Sequence, residues 1–128
     1  MLSEAIRQAQ KMHRKAIEET YDGTCNVYAK EPVRDPETGV TSMWEVPTIE
    51  GQPCHLSFSG AGPAMKTGTV TNVPQSIKLF LAPEVIIEPG SRIEVTQQKH
   101  TECYSRSGKA AVYSSHQEIL LELWKGFA

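Results

Sequence analysis

Four histidines and three cysteines are the residues of this sequence best suited to chemistry: His13, Cys25, Cys54-His55, His100-x-x-Cys103 and His116. Cys25, Cys54-His55 and the His100/Cys103 pair supply enough soft ligands for one tetrahedral zinc if strands bring them together. Structural zinc sites usually carry paired CxxC spacing, however, and only His100/Cys103 comes near it. Cys25 and Cys54 fall at inward positions of alternating segments, which explains them as packed thiols, so no structural metal is expected. The serines and histidines form no nucleophile elbow, and neither a phosphate-cradling glycine loop nor HExxH is present. No catalysis and no cofactor are therefore expected. Lys99, Arg106 and Lys109 bracket Tyr104 in a polar stretch that invites nucleic-acid contact, but a solvated loop accounts for them. Arg7, Lys11, Arg14 and Lys15 raise the same question and are diluted by Glu4, Glu18 and Glu19.

The elements that must position these residues follow from the apolar periodicity. Leu2, Ala5, Ile6, Ala9, Met12, His13, Ala16 and Ile17 recur at three- and four-residue steps, which predicts an amphipathic helix over residues 2–21, capped by Ser3 and closed by the glycine of Asp22-Gly23. Its length is roughly 27 Å at 1.5 Å per residue. From Cys25 the period becomes twofold. Cys25/Val27/Ala29, Val40/Ser42/Trp44/Val46 and Cys54/Leu56/Phe58 read as three strands, separated by the turn-rich residues 32–39, by Pro47 and by Gly51-Gln52-Pro53. Ile77/Leu79/Leu81, Val85-Ile86-Ile87 and Ile93/Val95 continue the pattern, and residues 97–107 read as a second polar loop. Ile119, Leu121 and Leu123, with Leu120 and Trp124 opposite, predict a final strand covered on both faces. The whole is mainly β: a small β-barrel or sandwich with an N-terminal amphipathic helix (1–21 and 22–128), one domain overall.

Residues 59–75 differ from the rest. Ser59, Gly60, Gly62, Met65, Lys66, Gly68, Val70, Val73 and Gln75 typify a stretch of glycine, proline and small polar residues. Ordering it costs roughly 17–34 kcal/mol of backbone entropy, against roughly 5–9 kcal/mol from burying its three sizeable apolar side chains. It reads as a mobile loop that local packing alone does not order.

Bulk properties exclude several classes. With 128 residues the chain builds a core without disulfides, and the odd cysteine count fits free thiols in a reducing compartment. The formal net charge of −2 offers no global basic field for a polyphosphate or an anionic membrane. No apolar run spans a bilayer, and the first nine residues lack a signal peptide's pattern, so the protein is expected to stay in the cytoplasm where it is made.

The order helix, barrel strands, long loop, then Pro89-Gly90-Ser91-Arg92-Ile93-Glu94-Val95 followed by Tyr113-Ser114-Ser115-His116-Gln117-Glu118-Ile119, resembles the small head-tail joining proteins of tailed bacteriophages. The head-completion or stopper type is meant, with its relatives in prophages and defective phage-like elements. The likeness covers roughly residues 22–128, and the helix looks like an added element. It implies a virion protein at the head-tail junction, a β-barrel that assembles as a ring of its own copies below the portal or adaptor. Such a ring closes the DNA channel and presents its lower surface to a tail protein. The same likeness makes residues 59–75, from Ser59 to Gln75, the loop that lines or plugs the channel, in passive contact with packaged DNA. Lys66 is the only charge there, whereas a channel lining is often acidic. Two other classes compete: an OB-like or SH3-like barrel binding nucleic acid or a peptide, and a small metal-dependent enzyme. Single-strand binders display several exposed aromatics in a basic groove, whereas Trp44, Phe58 and Phe80 occupy strand positions suited to a core.

Overall fold

The computed structural model describes residues 3–59 and 76–127. Helix α1 (Glu4–Glu18) precedes strands β1 (Gly23–Arg34), β2 (Thr41–Ser59), β3 (Ser76–Leu81), β4 (Arg92–Gln97), β5 (His100–Arg106), β6 (Ala111–Val112) and β7 (Gln117–Leu123). All pairings are antiparallel. The strand order is β3-β2-β1-β4-β5-β7-β6, and β3 also pairs with β7, so the sheet closes on itself as a small barrel. Its interior is filled by the alternating residues of each strand: Cys25 and Val27, Cys54 and Leu56, Leu79 and Leu81, Ile93 and Val95, Ile119 and Leu121. The mainly-β expectation with one N-terminal helix holds.

Several local expectations are corrected. Residues 97–107 are not a loop, because Gln98 and Lys99 adopt φ of 50° and 69° and turn the chain into β5. That turn has the geometry of a two-residue hairpin without its usual Asn-Gly signature. Val85-Ile86-Ile87 form no strand. Flanked by Pro83 and Pro89, which cannot donate to a ladder, the segment folds across one end of the barrel and drives Ile87 into the core. Gln117 Nε2 holds it there, donating to the carbonyls of Ala82 at 2.7 Å and Val85 at 2.5 Å, while Arg106 donates to that of Ile87. The break expected between Trp44 and Cys54 is absent: β2 runs through Pro47 and Gly51 as one strand whose register against β1 shifts twice. Strand β7 is covered on its inner face alone, leaving Leu120 exposed.

Ser3 caps α1 as expected, its Oγ accepting from the Ile6 N–H at 3.2 Å. The helix ends at Glu18, however, and Gly23 opens β1 instead of closing α1. A β-carbon at Gly23 would sit 3.0 Å from the Thr96 carbonyl oxygen, so the close approach of β4 requires glycine.

Candidate assembly surfaces

Strand β1 pairs with β4 only from Gly23 to Tyr28, whereas its pairing with β2 continues to Arg34 opposite Thr41. Residues 29–46 therefore project past the barrel rim as a two-stranded arm with no third strand among the described residues. The tip is closed locally: Gly39 N–H donates to the Asp35 carbonyl at 2.8 Å, Glu37 N–H to Asp35 Oδ1 at 2.8 Å, and Gly39 takes φ of 73°. Along β1 the side chains alternate without interruption, so Ala29, Glu31 and Val33 continue the face that carries Cys25 and Val27 inside the barrel. Val46, Trp44 and Ser42 stand opposite them on β2. Val27 is 1% exposed and Trp44 is 61% exposed. The core stripe thus runs out of the barrel into the open.

The arm's root is clamped. Arg92 pairs with the Glu45 carboxylate, lies 3.7 Å from Glu94, donates to Cys103 Sγ at 3.1 Å and sits 4.4 Å from the centroid of the Tyr28 ring. The Arg92 hydrogen bond holds the Glu45 carboxyl below its ordinary range, and the same contact raises the Arg92 guanidinium further. On the same face Lys30, directly across from Glu45, lies 5.2 Å from the Phe127 ring, which packs edge-on against Trp124.

Helix α1 presents a second uncovered stripe. Arg14 ion-pairs with Glu84 at 2.7 Å, and Arg7, Gln10 and Lys11 line a cleft with Arg14 and Ser114 of the barrel. Further along, Ile17, Thr20 and Tyr21 face His55, Ser57, Phe80 and His116 across a cleft of about 320 Å³. The residues turned toward the barrel are therefore largely the basic ones. Ala5, Ala9, Met12 and Ala16 lie about 140° away around the helix at 3.6 residues per turn, and Met12 is 72% exposed. No residue of α1 is buried. The apolar stripe read from the sequence is real but divides: Ile17 faces the barrel, whereas the part carrying Met12 is open to solvent.

Beneath α1, Tyr113, His116, Phe80 and His55 form a row of rings with centroids 5.0, 5.8 and 6.3 Å apart. His55 Nδ1 lies 2.8 Å from Asp22, tying the end of the helix to β2. His116 lies between Ser115 Oγ and Glu118, each at 2.9 Å. This serine-histidine-carboxylate relay was not read from the sequence, because three near-consecutive residues leave no motif. Ser115 is buried at 4% exposure, so its hydroxyl does not face a substrate, and the relay acts here to fix the β6–β7 turn. The His116 hydrogen bond, followed by that of Lys78, keeps Glu118 below its usual range.

The zinc-like constellation is dispersed. Cys25 and Cys54 are buried neighbours, and the hydrogen bond to Cys25 together with burial pushes the Cys54 thiol up. His55 points outward to Asp22, Cys103 meets Arg92, and His100 is exposed at the start of β5. Among the described residues no group of three His, Cys, Asp or Glu could hold a metal. The basic cluster around Tyr104 also dissolves: Tyr104 is buried, and the Arg106 guanidinium is occupied by the Ile87 and Gly108 carbonyls. Trp44 and Phe58, read as core, are exposed. Among the described residues no helix is long and apolar enough to cross a membrane.

Of the candidate channel loop, Ser59 ends β2, exposed and paired with Ser76. Gly60, Gly62, Met65, Lys66, Gly68, Val70, Val73 and Gln75 lie outside the described residues. The chain leaves the barrel there beside a cleft of about 400 Å³ lined by Leu56, Phe58, Gln97, His100 and Tyr104. Gln97 closes the seam that the end of β1 leaves between β4 and β2. Its Oε1 accepts from the Leu56 N–H at 2.8 Å and its Nε2 donates to the Leu56 carbonyl at 3.2 Å, in place of a strand's own ladder bonds.

No family model matches the chain, and no curated protein sequence matches it. Among solved structures, the chain is similar to the protein xkdH of the phage-like element PBSX from Bacillus subtilis. The two are 12% identical with a TM-score of 0.44, over 78% of this chain and 91% of that one.

Proposed function

We propose that the chain is a structural protein of a phage or phage-like particle. It assembles as a ring at the head-tail junction, between the portal or adaptor and the tail, and helps to close the DNA channel. The observation that carries the proposal is the apolar stripe of residues 29–46, which continues the barrel's interior face into solvent. A two-stranded ribbon is marginal in water by itself, and an exposed stripe containing Val33 and Trp44 gains stability only against another surface. A protein completed by its neighbours carries such an arm. The order of elements and the paired segments around Arg92 and His116 support the head-completion type. The likeness to head-completion proteins assigns residues 59–75, the segment between β2 and β3, to the channel side. In this reading the protein needs no cofactor, and its partners are its own copies, the portal or adaptor, and a tail protein.

Particles purified from a host carrying the gene test this directly. Mass spectrometry is expected to find the chain in tailed particles, and deletion of the gene is expected to yield filled heads that leak DNA or lack tails. Particles with normal titre and no copy of the chain would overturn the proposal.

A further inference from the structure

Among the described residues nothing covers the Val33 and Trp44 face of the arm or the Met12 face of α1. We infer that they are partners of each other in trans: the arm of one copy lies along α1 of the next. The inference rests on the ring reading above and names its subunit contact.

Three observations support a second copy as the occupant. The first is charge. Residues 29–46 carry two basic and four acidic side chains, a net −2, whereas Glu4–Glu18 carries four basic and two acidic, a net +2. The second is length, since six strand pairs at about 3.4 Å per residue span about 20 Å and fifteen helical residues at 1.5 Å span about 22 Å. The third is shape. Trp44 and Val33 are bulky projections, and the outward stripe of α1 is built on Ala5, Ala9 and Ala16, which leave room for a ring beside Met12. The arm's acidic tip, Asp35 and Glu37, then meets Lys15, the basic residue flanking Met12 on the facing helix, while Lys11 and Arg14 stay on the side turned to their own barrel. Within one subunit Trp44 and Met12 both remain more than half exposed, so the contact is not made in cis. Two differing surfaces can close a two-fold dimer by reciprocal exchange or run head-to-tail around a ring; the ring reading takes the second, and a double variant that stops at a dimer instead of forming a ladder overturns it.

Cross-linking tests the contact. In a Cys103→Ser background, copies with Ala9→Cys are mixed with copies carrying Ser42→Cys at the highest soluble concentration and oxidised. Covalent heterodimers are expected from the mixture, none from either variant alone, and a ladder from the double variant. Failure of the mixture to cross-link, or equal cross-linking of Ala9→Cys alone, overturns the inference. Trp44→Ala is expected to weaken self-association about thirtyfold and the charge reversal Lys15→Glu by roughly fivefold, with Asp35→Lys restoring the latter. Circular dichroism matching the parent excludes unfolding as the cause. The assay uses the purified chain alone. Cross-linking by a protein absent from particles leaves the contact standing and sinks the virion role, and the reverse pair of results does the opposite.

Discussion

Val27 and Trp44 lie on the same face of the same two-stranded ribbon, a few residues apart in register, and one is buried while the other is open to solvent. Nothing in the local chemistry separates them. Both are β-formers at alternating positions, and both face inward with respect to the pleat. What separates them is β4, which pairs with β1 as far as Tyr28 and no further. Alternation in a sequence encodes which residues share a face; it does not encode what covers that face. Inside the barrel the cover is the opposite wall, and beyond the rim no described residue supplies one.

The largest expected effect lies on the buried side of this comparison. Leu79 is fully enclosed by the barrel wall, so Leu79→Ala leaves a cavity that neighbouring strands only partly fill. It should cost about 2–5 kcal/mol in urea unfolding. A loss below about 1 kcal/mol would mean that the barrel interior is not tightly packed.

Next is the plug at the barrel end. Gln117 is buried and donates to two carbonyls that have no ladder partner, and Gln117→Leu removes the donor to the Val85 carbonyl and leaves the Ala82 carbonyl only the Val85 N–H at 3.3 Å. The expected cost is about 1–3 kcal/mol. Hydrogen exchange should report it first in residues 82–91. Unchanged exchange there would show that Ile87 alone holds the segment.

The barrel interior was legible in the sequence because strands covered on one face print their period directly: Leu79/Leu81, Ile93/Val95 and Ile119/Leu121 all appear where the alternation places them. Strand β5 was not legible. In His100–Arg106 only Tyr104 is buried, and a strand with one inward apolar residue has no period to read. The helix shows a different limit. Its amphipathicity and its Ser3 cap were legible, but which surface its stripe meets was not, since the Arg14–Glu84 pair that sets the helix against the barrel joins residues 70 apart. Trp44 was read as core for the same reason, since hydrophobicity says that burial is favourable and does not say within which chain. The serine-histidine-glutamate relay depends on a turn between β6 and β7 that no residue type announces.

A smaller effect tests the arm's root. Arg92 holds Glu45 below its unfolded value near about 4.3, so the ion pair contributes its full stability above that pH and loses it as pH falls through the depressed value. Stability is therefore expected to decline on acidification below about pH 4.3. Glu45→Gln should make the decline shallower by up to about 1 kcal/mol, since the pair is partly solvated. An unchanged acid profile in the variant would place the sensitivity elsewhere, with Glu118 the first alternative.

The smallest expected effect is the most informative, because it is made at the largest apolar side chain of the arm. Trp44→Ser removes an indole that would be worth several kcal/mol inside a core. In the single subunit that indole is 61% exposed, and its one hydrogen bond is from Nε1 to Ser42 Oγ at 2.9 Å within the same strand. Unfolding in dilute solution, where copies are apart, should therefore change by no more than about 0.5 kcal/mol. Val27→Ser, on the same face inside the barrel, removes fewer atoms and should cost several times more, since it leaves a void and places a hydroxyl among apolar neighbours. If the two variants cost the same, the arm folds back on its own barrel in solution, and its stripe is core after all. If Trp44→Ser is silent when dilute and costly when concentrated, the missing cover is another copy of the chain.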